Sequence, residues 1–266
     1  MTAILGVLNV TPDSFSDGGR FERLADAVAH AQRMRQAGAD WVDVGGESTR
    51  PGAAALDAAE EQARVLPVVG ALAAAGVPVS IDTRNAETAQ AAVEAGATMI
   101  NDVSGGLHDP RMASVVAGSG VPFVVMHWRG GADAEPQYID VVSEVRAELK
   151  ARLAELLVAG VRREQLIIDP GLGFAKTAEH NWQLLRALDQ FTPLAPVLIG
   201  ASRKRFIGRL LPDDAPLERR DAPTATISAL AAASGAWGVR VHDVAATRLA
   251  LDVEEHWRSG GRDDRA

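Results

Sequence analysis

Eight short apolar runs recur along this chain about thirty residues apart, the length of one strand-and-helix unit, and this rhythm limits the fold more than any other feature. They span residues 4–10, 41–44, 77–81, 98–100, 121–126, 166–168, 196–199 and 239–241. Within the runs the apolar residues are nearly continuous rather than alternating, the pattern of parallel strands covered on both faces. Helices are predicted between them over 22–37, 57–75, 86–95, 110–119, 140–159, 178–187, 224–234 and 245–258. Several end at a glycine in the expected stop position, as at Gly38, Gly76, Gly96 and Gly160. The Ala-Gly-Ala or Ala-Gly-Val that precedes four of the runs (37–39, 75–77, 95–97, 159–161) is a weak internal repeat of the helix-to-strand turn. The predicted fold is α/β: one (β/α)8 TIM barrel over residues 1–258, with 259–266 as a flexible tail. Its active site is expected at the C-terminal ends of the strands. A doubly wound open sheet is the main rival, but no Gly-x-Gly-x-x-Gly turn follows the first run.

At 266 residues the chain suits one such barrel, and a hydrophobic content of 47% provides for a large core. The formal charge of −8 argues against sequence-independent nucleic-acid binding, which needs clustered Lys and Arg. It leaves room for an anionic small substrate, since a local pocket can be positive on an acidic protein. Cysteine is absent, so disulfides, thiolate catalysis and Cys-ligated metals are excluded. The first apolar run is too short for a signal peptide, and no run approaches the roughly 18 residues that span a bilayer. The expectation is therefore a cytoplasmic protein without membrane or nucleic-acid partners.

Chemistry-bearing residues cluster just after the runs. Asp82 and Asp169 each follow branched apolar residues, and Asn101 holds the matching place on the fourth strand. Two carboxylates and an amide facing one cavity can read a donor-rich heterocycle, because ionised carboxylates only accept while an amide does both. Ser202, Arg203 and Lys204 close the seventh strand, and Arg240 and His242 close the eighth. Barrels commonly bind phosphate at the ends of these two strands. Arg240 and His242 alternate with Val239 and Val241, so both face one side. An ordinary surface ion pair is the default for Arg203, less so for Arg240. The substrate suggested has a polar ring at one end and phosphate at the other. Asn9 ends the first strand and offers a carbonyl oxygen to Mg²⁺, a hard ion that keeps most of its waters when it bridges phosphates. The long polar loops 11–20 and 47–55 are candidate mobile lids, and Thr49 and Arg50 in the second can reach a phosphate or carboxylate. A third aperiodic segment, 128–137, follows the fifth strand.

Together these segments resemble the dihydropteroate synthase family. The motifs are NVTPDSFSDGG at 9–19, GESTRPG at 46–52, SIDT at 80–83, INDVSGG at 100–106, IDPGLGF at 168–174 with Lys176, SRK at 202–204 and RVHD at 240–243. Each is weak alone; seven in order over essentially the whole chain are highly specific. The resemblance implies an enzyme that joins 6-hydroxymethyl-7,8-dihydropterin pyrophosphate to 4-aminobenzoate, forming 7,8-dihydropteroate and pyrophosphate in folate biosynthesis. It implies that Asp82, Asn101, Asp169 and Lys204 hold the pterin, with Met126 and Arg240 covering its faces. Asn9, Arg240 and His242 take the pyrophosphate, Asn9 through Mg²⁺. Thr49, Arg50, Pro51, Phe174, Ser202 and Lys204 shape the 4-aminobenzoate site, with Asp17 and Phe15 closing over it. Homodimers are common in the family, and the apolar stretch 224–237 is a candidate interface. Sulfonamides, as mimics of 4-aminobenzoate, are expected to compete.

The reaction needs no protein nucleophile, and the chain offers none. Arg240, His242 and Mg²⁺ are expected to neutralise charge on the departing oxygen. Asp82 and Asp169 are expected to stabilise positive charge spreading into the pterin, which favours a dissociative, SN1-like displacement. Two departures stand out: Ala175 where the family often has another glycine, and Trp128 where smaller residues are common. Lys176 reads equally as a solvated loop charge or a site residue. His127 reads as a strand cap or a residue behind the site, and His30, His180 and His256 as helix residues without a metal partner. Trp41, Trp237 and Trp257 read as core or subunit packing. Two other functions remain open at this point. A methyltetrahydrofolate-binding methyltransferase domain would not need the phosphate corner, and a catalytically silent paralogue should show losses in the first two loops.

Overall fold

Every strand pairs in parallel with its neighbour, in the order β6-β5-β4-β3-β2-β1-β8-β7. The structure is a computed structural model that describes residues 1–10, 20–47, 56–130, 134–135 and 137–260, without the side chains of 20–23. In chain order the elements are β1 (Ala3–Asn9), α1 (Arg20–Gln36), β2 (Trp41–Gly45), α2 (Ala58–Ala74), β3 (Val79–Asp82) and α3 (Ala86–Glu94). Then follow β4 (Met99–Asp102), α4 (Met112–Ser119), β5 (Phe123–Met126), α5 (Val141–Val158), β6 (Leu166–Asp169) and α6 (Ala178–Arg186). The chain continues through β7 (Leu198–Ile199), α7 (Arg205–Gly208), α8 (Asp221–Ala233), β8 (Gly238–Val241) and α9 (Val244–Ser259). A parallel bridge between Ile168 and Val197 joins β6 to β7 and completes the TIM barrel. The closure is narrow because Pro196 has no N–H; only its carbonyl takes part, accepting from the Ile168 N–H at 2.8 Å. That is why β7 is shorter than the run at 196–199, and Pro78 likewise holds back the start of β3.

The strand period of two divides the core. Outward residues such as Val42, Val44, Ile100, Val125, Ile168 and Val239 join the large apolar layer beneath the helices. Inward residues Leu5, Met99, Val124, Ile167 and Leu198 form a separate buried cluster that fills the barrel, with Trp41 and Trp237 packed against it. The two indoles lie 5.9 Å apart. The helices are set by their caps. Asp57, Asp140, Thr177 and Asp243 each accept a backbone N–H in the first turn of α2, α5, α6 and α9, a contact worth about 1 kcal/mol. α8 begins three residues before the predicted start, because a proline in a first helical turn (here Pro223) replaces an N–H that would be unsatisfied anyway. No helix among the described residues is long and apolar enough to cross a membrane.

Continuing the inward alternation beyond the apolar cluster places polar side chains at the barrel mouth. Leu5 leads to Val7 and Asn9, Trp41 to Asp43 and Gly45, Met99 to Asn101, Val124 to Met126, and Ile167 to Asp169. The register sets Asp82 beside Gly45 and Asn101, and Met126 beside Asp169. Fold and site thus follow from one periodicity.

Candidate active site

Arg240, rising from β8, reaches past β1 to two carboxylates on β2 and β3. Its Nε donates to Asp43 at 2.5 Å and its Nη2 to Asp82 at 2.7 Å. Asp43 also accepts from the Asn101 amide at 3.0 Å. Since a carboxylate can only accept, this bond fixes the orientation of that amide and leaves its carbonyl oxygen for another donor. Burying an ion costs several kcal/mol; here one guanidinium held by two carboxylates offsets the cost. Burial works against the charge on Arg240, but Asp43 and Asp82 more than reverse this and hold its pKa above the ordinary value. Burial pushes the Asp82 carboxyl up to about 7, against the pull of Arg240.

Asp43 is a residue the sequence reading passed over. It sits inside a run that reads as apolar, and the signal for it is a single acid at the alternate position between Trp41 and Gly45. It is fully buried, and its Oδ1 has no partner among the described residues.

Asp169 ends β6 and is buried. Burial raises its pKa, opposed by Lys204 and by the Gly171 N–H, which donates to Oδ1 at 2.7 Å. Lys204 comes from the turn after β7. Arg203 ahead of it adopts φ +58°, a left-handed conformation uncommon for a residue with a side chain. Arg203 turns aside to Asp221 in a two-pronged ion pair at 2.7 and 2.8 Å, the ordinary pairing expected for it. Lys204 instead enters the mouth, where its amine donates to the Leu172 carbonyl and lies 4.8 Å from the Phe174 ring centre. Burial lowers its pKa to about 8, although Asp169 and Asp82 oppose this.

Ser202 and His242 form the third side. Ser202 Oγ lies 2.8 Å from His242 Nδ1 and accepts the His242 backbone N–H at 3.1 Å, which fixes the imidazole against β7. Asn9, exposed at the end of β1, joins these residues in lining a cleft of about 810 Å³. Phe174, Lys176, Lys204, Arg240 and Asp82 also line it. A smaller inner pocket continues from it among Asn101, Met126, Asp169 and Gly200. Of the residues expected at the site, Asn9, Asp82, Asn101, Met126, Asp169, Phe174, Ser202, Lys204, Arg240 and His242 come together here. Phe15, Asp17, Thr49, Arg50 and Pro51 lie outside the described residues, as do most of the two candidate lids. No cluster of three or more His, Asp or Glu suited to a metal occurs among the described residues.

Lys176 is not a solvated loop charge. Its amine is 3.0 Å from His127 Nδ1 and donates to the Phe174 carbonyl at 3.1 Å. His127 is buried behind the site, and its Nε2 is 2.9 Å from Glu148 of α5. Burial first, then the charge of Lys176, pushes the imidazole down to about 4.

A family model described as "Pterin binding enzyme" matches residues 5–242. Dihydropteroate synthase of Mycobacterium leprae is 54% identical over 97% of this chain and 94% of its own length. The chain belongs to the dihydropteroate synthase family. Among solved structures, a Xanthomonas albilineans dihydropteroate synthase with 4-aminobenzoic acid has a TM-score of 0.90 and 45% identity, covering 98% of this chain and 94% of that one. Another from the same organism, in complex with 7,8-dihydropteroate, has a TM-score of 0.88 and 43% identity, covering 97% and 94%.

Proposed function

We propose that this chain joins 6-hydroxymethyl-7,8-dihydropterin pyrophosphate to 4-aminobenzoate, releasing pyrophosphate and forming 7,8-dihydropteroate. The observation that carries the reading is the two-ended cleft. Asp82, Asn101 and Asp169 supply acceptors for a ring bearing N–H groups, and Arg240, His242 and Ser202 supply a corner for an anion. Buried carboxylates with raised pKa values favour a ligand that brings donors to them, as the amino and ring N–H groups of a pterin do. Lys204 offers a donor to the same ring, and Met126 an apolar face.

The chemistry then follows from charge. As the bond from carbon to the pyrophosphate oxygen lengthens, positive charge spreads into the pterin and negative charge gathers on the leaving group. Asp82 and Asp169 stabilise the first. Arg240 and His242 stabilise the second, with Arg240 keeping N–H donors beyond the two bound to Asp43 and Asp82. Because both charges are stabilised, the C–O bond breaks ahead of attack and the displacement is dissociative; the aniline nitrogen then bonds the carbon from the side lined by Phe174 and gives up one proton to the departing pyrophosphate or to water. Ser202 and Lys204 border the second-substrate site, and the family resemblance assigns Thr49, Arg50, Pro51 and Asp17 to that substrate as well. A lone Asn9 carbonyl oxygen fits Mg²⁺ delivered with pyrophosphate better than a resident ion held by protein alone. When bound, Mg²⁺ would supply charge neutralisation to the phosphate oxygens, with Asn9 as its protein ligand.

A homodimer is part of the same reading. Leu249, Val253 and Trp257 stand four residues apart on α9, so they share a face, and Leu230 of α8 is likewise exposed. A self-complementary patch of this kind suits a two-fold pair. Sedimentation should show a dimer that Val253→Asp disrupts. The pyrophosphorylated substrate is a polyanion that does not cross a bilayer unaided, which supports a reaction in the cytoplasm. Purified protein given the pterin pyrophosphate, 4-aminobenzoate and Mg²⁺ should release pyrophosphate and form dihydropteroate together. Tight pterin binding without product would identify a silent paralogue instead. Sulfonamide inhibition should be relieved by added 4-aminobenzoate.

A further inference from the structure

We propose that Lys176 is a positioning residue: seated between His127 and the Phe174 carbonyl, its amine pins the segment 170–177 to the end of β5 and so sets the Phe174 ring that faces the second substrate. The inference rests on the synthase reading for what occupies that face; the pinning itself is carried by geometry.

The segment is held from two sides. Lys204 reaches the Leu172 carbonyl from β7, and Lys176 reaches the Phe174 carbonyl from within the segment. The end of β5 lies close beneath it: a Cβ on Gly171, where φ is +72°, would come within 2.3 Å of the His127 carbonyl oxygen. Ala175, between Phe174 and Lys176, is left-handed at φ +45°. That conformation turns the chain so that the lysine amine can bond the carbonyl two residues earlier.

The proton count favours an uncharged amine. Glu148 is hydrogen-bonded to Arg129 and to His127, and these bonds hold its pKa low, Arg129 first. As a carboxylate it can only accept, so His127 donates through Nε2 and presents Nδ1 as an acceptor. Lys176 then faces two acceptors, Nδ1 and the Phe174 carbonyl, which a neutral amine fills with its two N–H bonds. A third proton adds charge beside Lys204 and Arg129. Burial lowers the Lys176 pKa to about 7, with Asp169 and Glu148 opposing and Lys204 and Arg129 reinforcing. The other groups facing this cluster are Tyr138, whose ring centre is 5.7 Å from the amine, and His180, which packs on Tyr138. A released lysine binds an extra proton between its ordinary value near 10.4 and about 7, so the pin should loosen as pH falls from about 10 towards 7.

The test measures KM for 4-aminobenzoate, kcat and pterin-pyrophosphate affinity from pH 7 to 9.5. Lys176→Met should raise KM for 4-aminobenzoate roughly tenfold at pH 8, the loss of about one hydrogen bond, with kcat within about twofold and pterin affinity unchanged. The wild-type KM should rise as pH falls from 9.5 towards 7, and the variant should lose that rise. His127→Leu should reproduce the KM effect. His127→Asn should recover most of it, because an asparagine oxygen can stand near the place of Nδ1. An unchanged KM in Lys176→Met, or a parallel loss of pterin affinity, overturns the proposal. Wild-type protein that makes no product overturns the synthase reading instead, which separates the two failures.

Discussion

The two halves of the barrel mouth hold their functional side chains by different means. On one half Asp43, Asp82, Asn101 and Arg240 all project from strands, and their charges are matched to one another across the barrel. On the other half Phe174 rides on a turn segment whose carbonyls are held by two lysines, and whose backbone is left-handed at Ala175. The first half is rigid because moving one group strands a buried charge. The second is held by a few hydrogen bonds of about 1 kcal/mol each, so it can adjust to a second substrate at low cost.

The sharpest way to break this comparison is Asp82→Ala. It should lower kcat/KM at least about a hundredfold, the scale for removing one charge-stabilising group, as measured by pyrophosphate release. A loss under tenfold would remove Asp82 from the mechanism. Asp43→Ala comes next. It leaves Arg240 short of one carboxylate in the interior and should lower unfolding free energy by about 3 kcal/mol in urea titrations. A loss below about 1 kcal/mol would mean the strand-borne half is not locked by charge. Phe174→Ala should raise KM for 4-aminobenzoate about tenfold while sparing pterin affinity, the scale of one lost ring contact. An equal loss of both would merge the two halves into one.

Stability should also depend on pH through Lys176. Its folded pKa of about 7 lies below the ordinary lysine value near 10.4, so between those values the unfolded chain binds more protons. Stability therefore rises with pH over this window, and Lys176→Met should flatten the rise in denaturation midpoints from pH 7 to 10. The smallest effect is expected of Ala175→Gly. Left-handed backbone costs an alanine roughly 1–2 kcal/mol, and glycine gives back part of this through its unfolded-state entropy, so the net gain should be about 0.5–1 kcal/mol. A destabilised variant would show that the alanine methyl contributes packing that outweighs its strain.

Much of this was legible in the chain. The thirty-residue rhythm predicted the barrel, and the strand ends predicted where Asp82, Asn101, Asp169, Lys204, Arg240 and His242 would gather. Strand limits shifted at Pro78 and Pro196, because a proline weakens a ladder without interrupting an apolar run. Asp43 escaped notice because one acid among valines reads as noise until alternation shows that it faces inward. Lys176 was ambiguous because a lysine in a polar turn is usually solvated, and its partners His127 and Glu148 lie 49 and 28 positions away in sequence.

Sequence by itself determined the period, the class of fold and the inventory of donors and acceptors at the mouth, since these depend on local alternation and on residue chemistry. Tertiary structure decided which charges pair, with Arg240 joined to Asp43 across 197 positions and Lys176 to His127 across 49. Pairings of that kind depend on strand register and barrel closure, and neither distance is written in any local stretch of the chain.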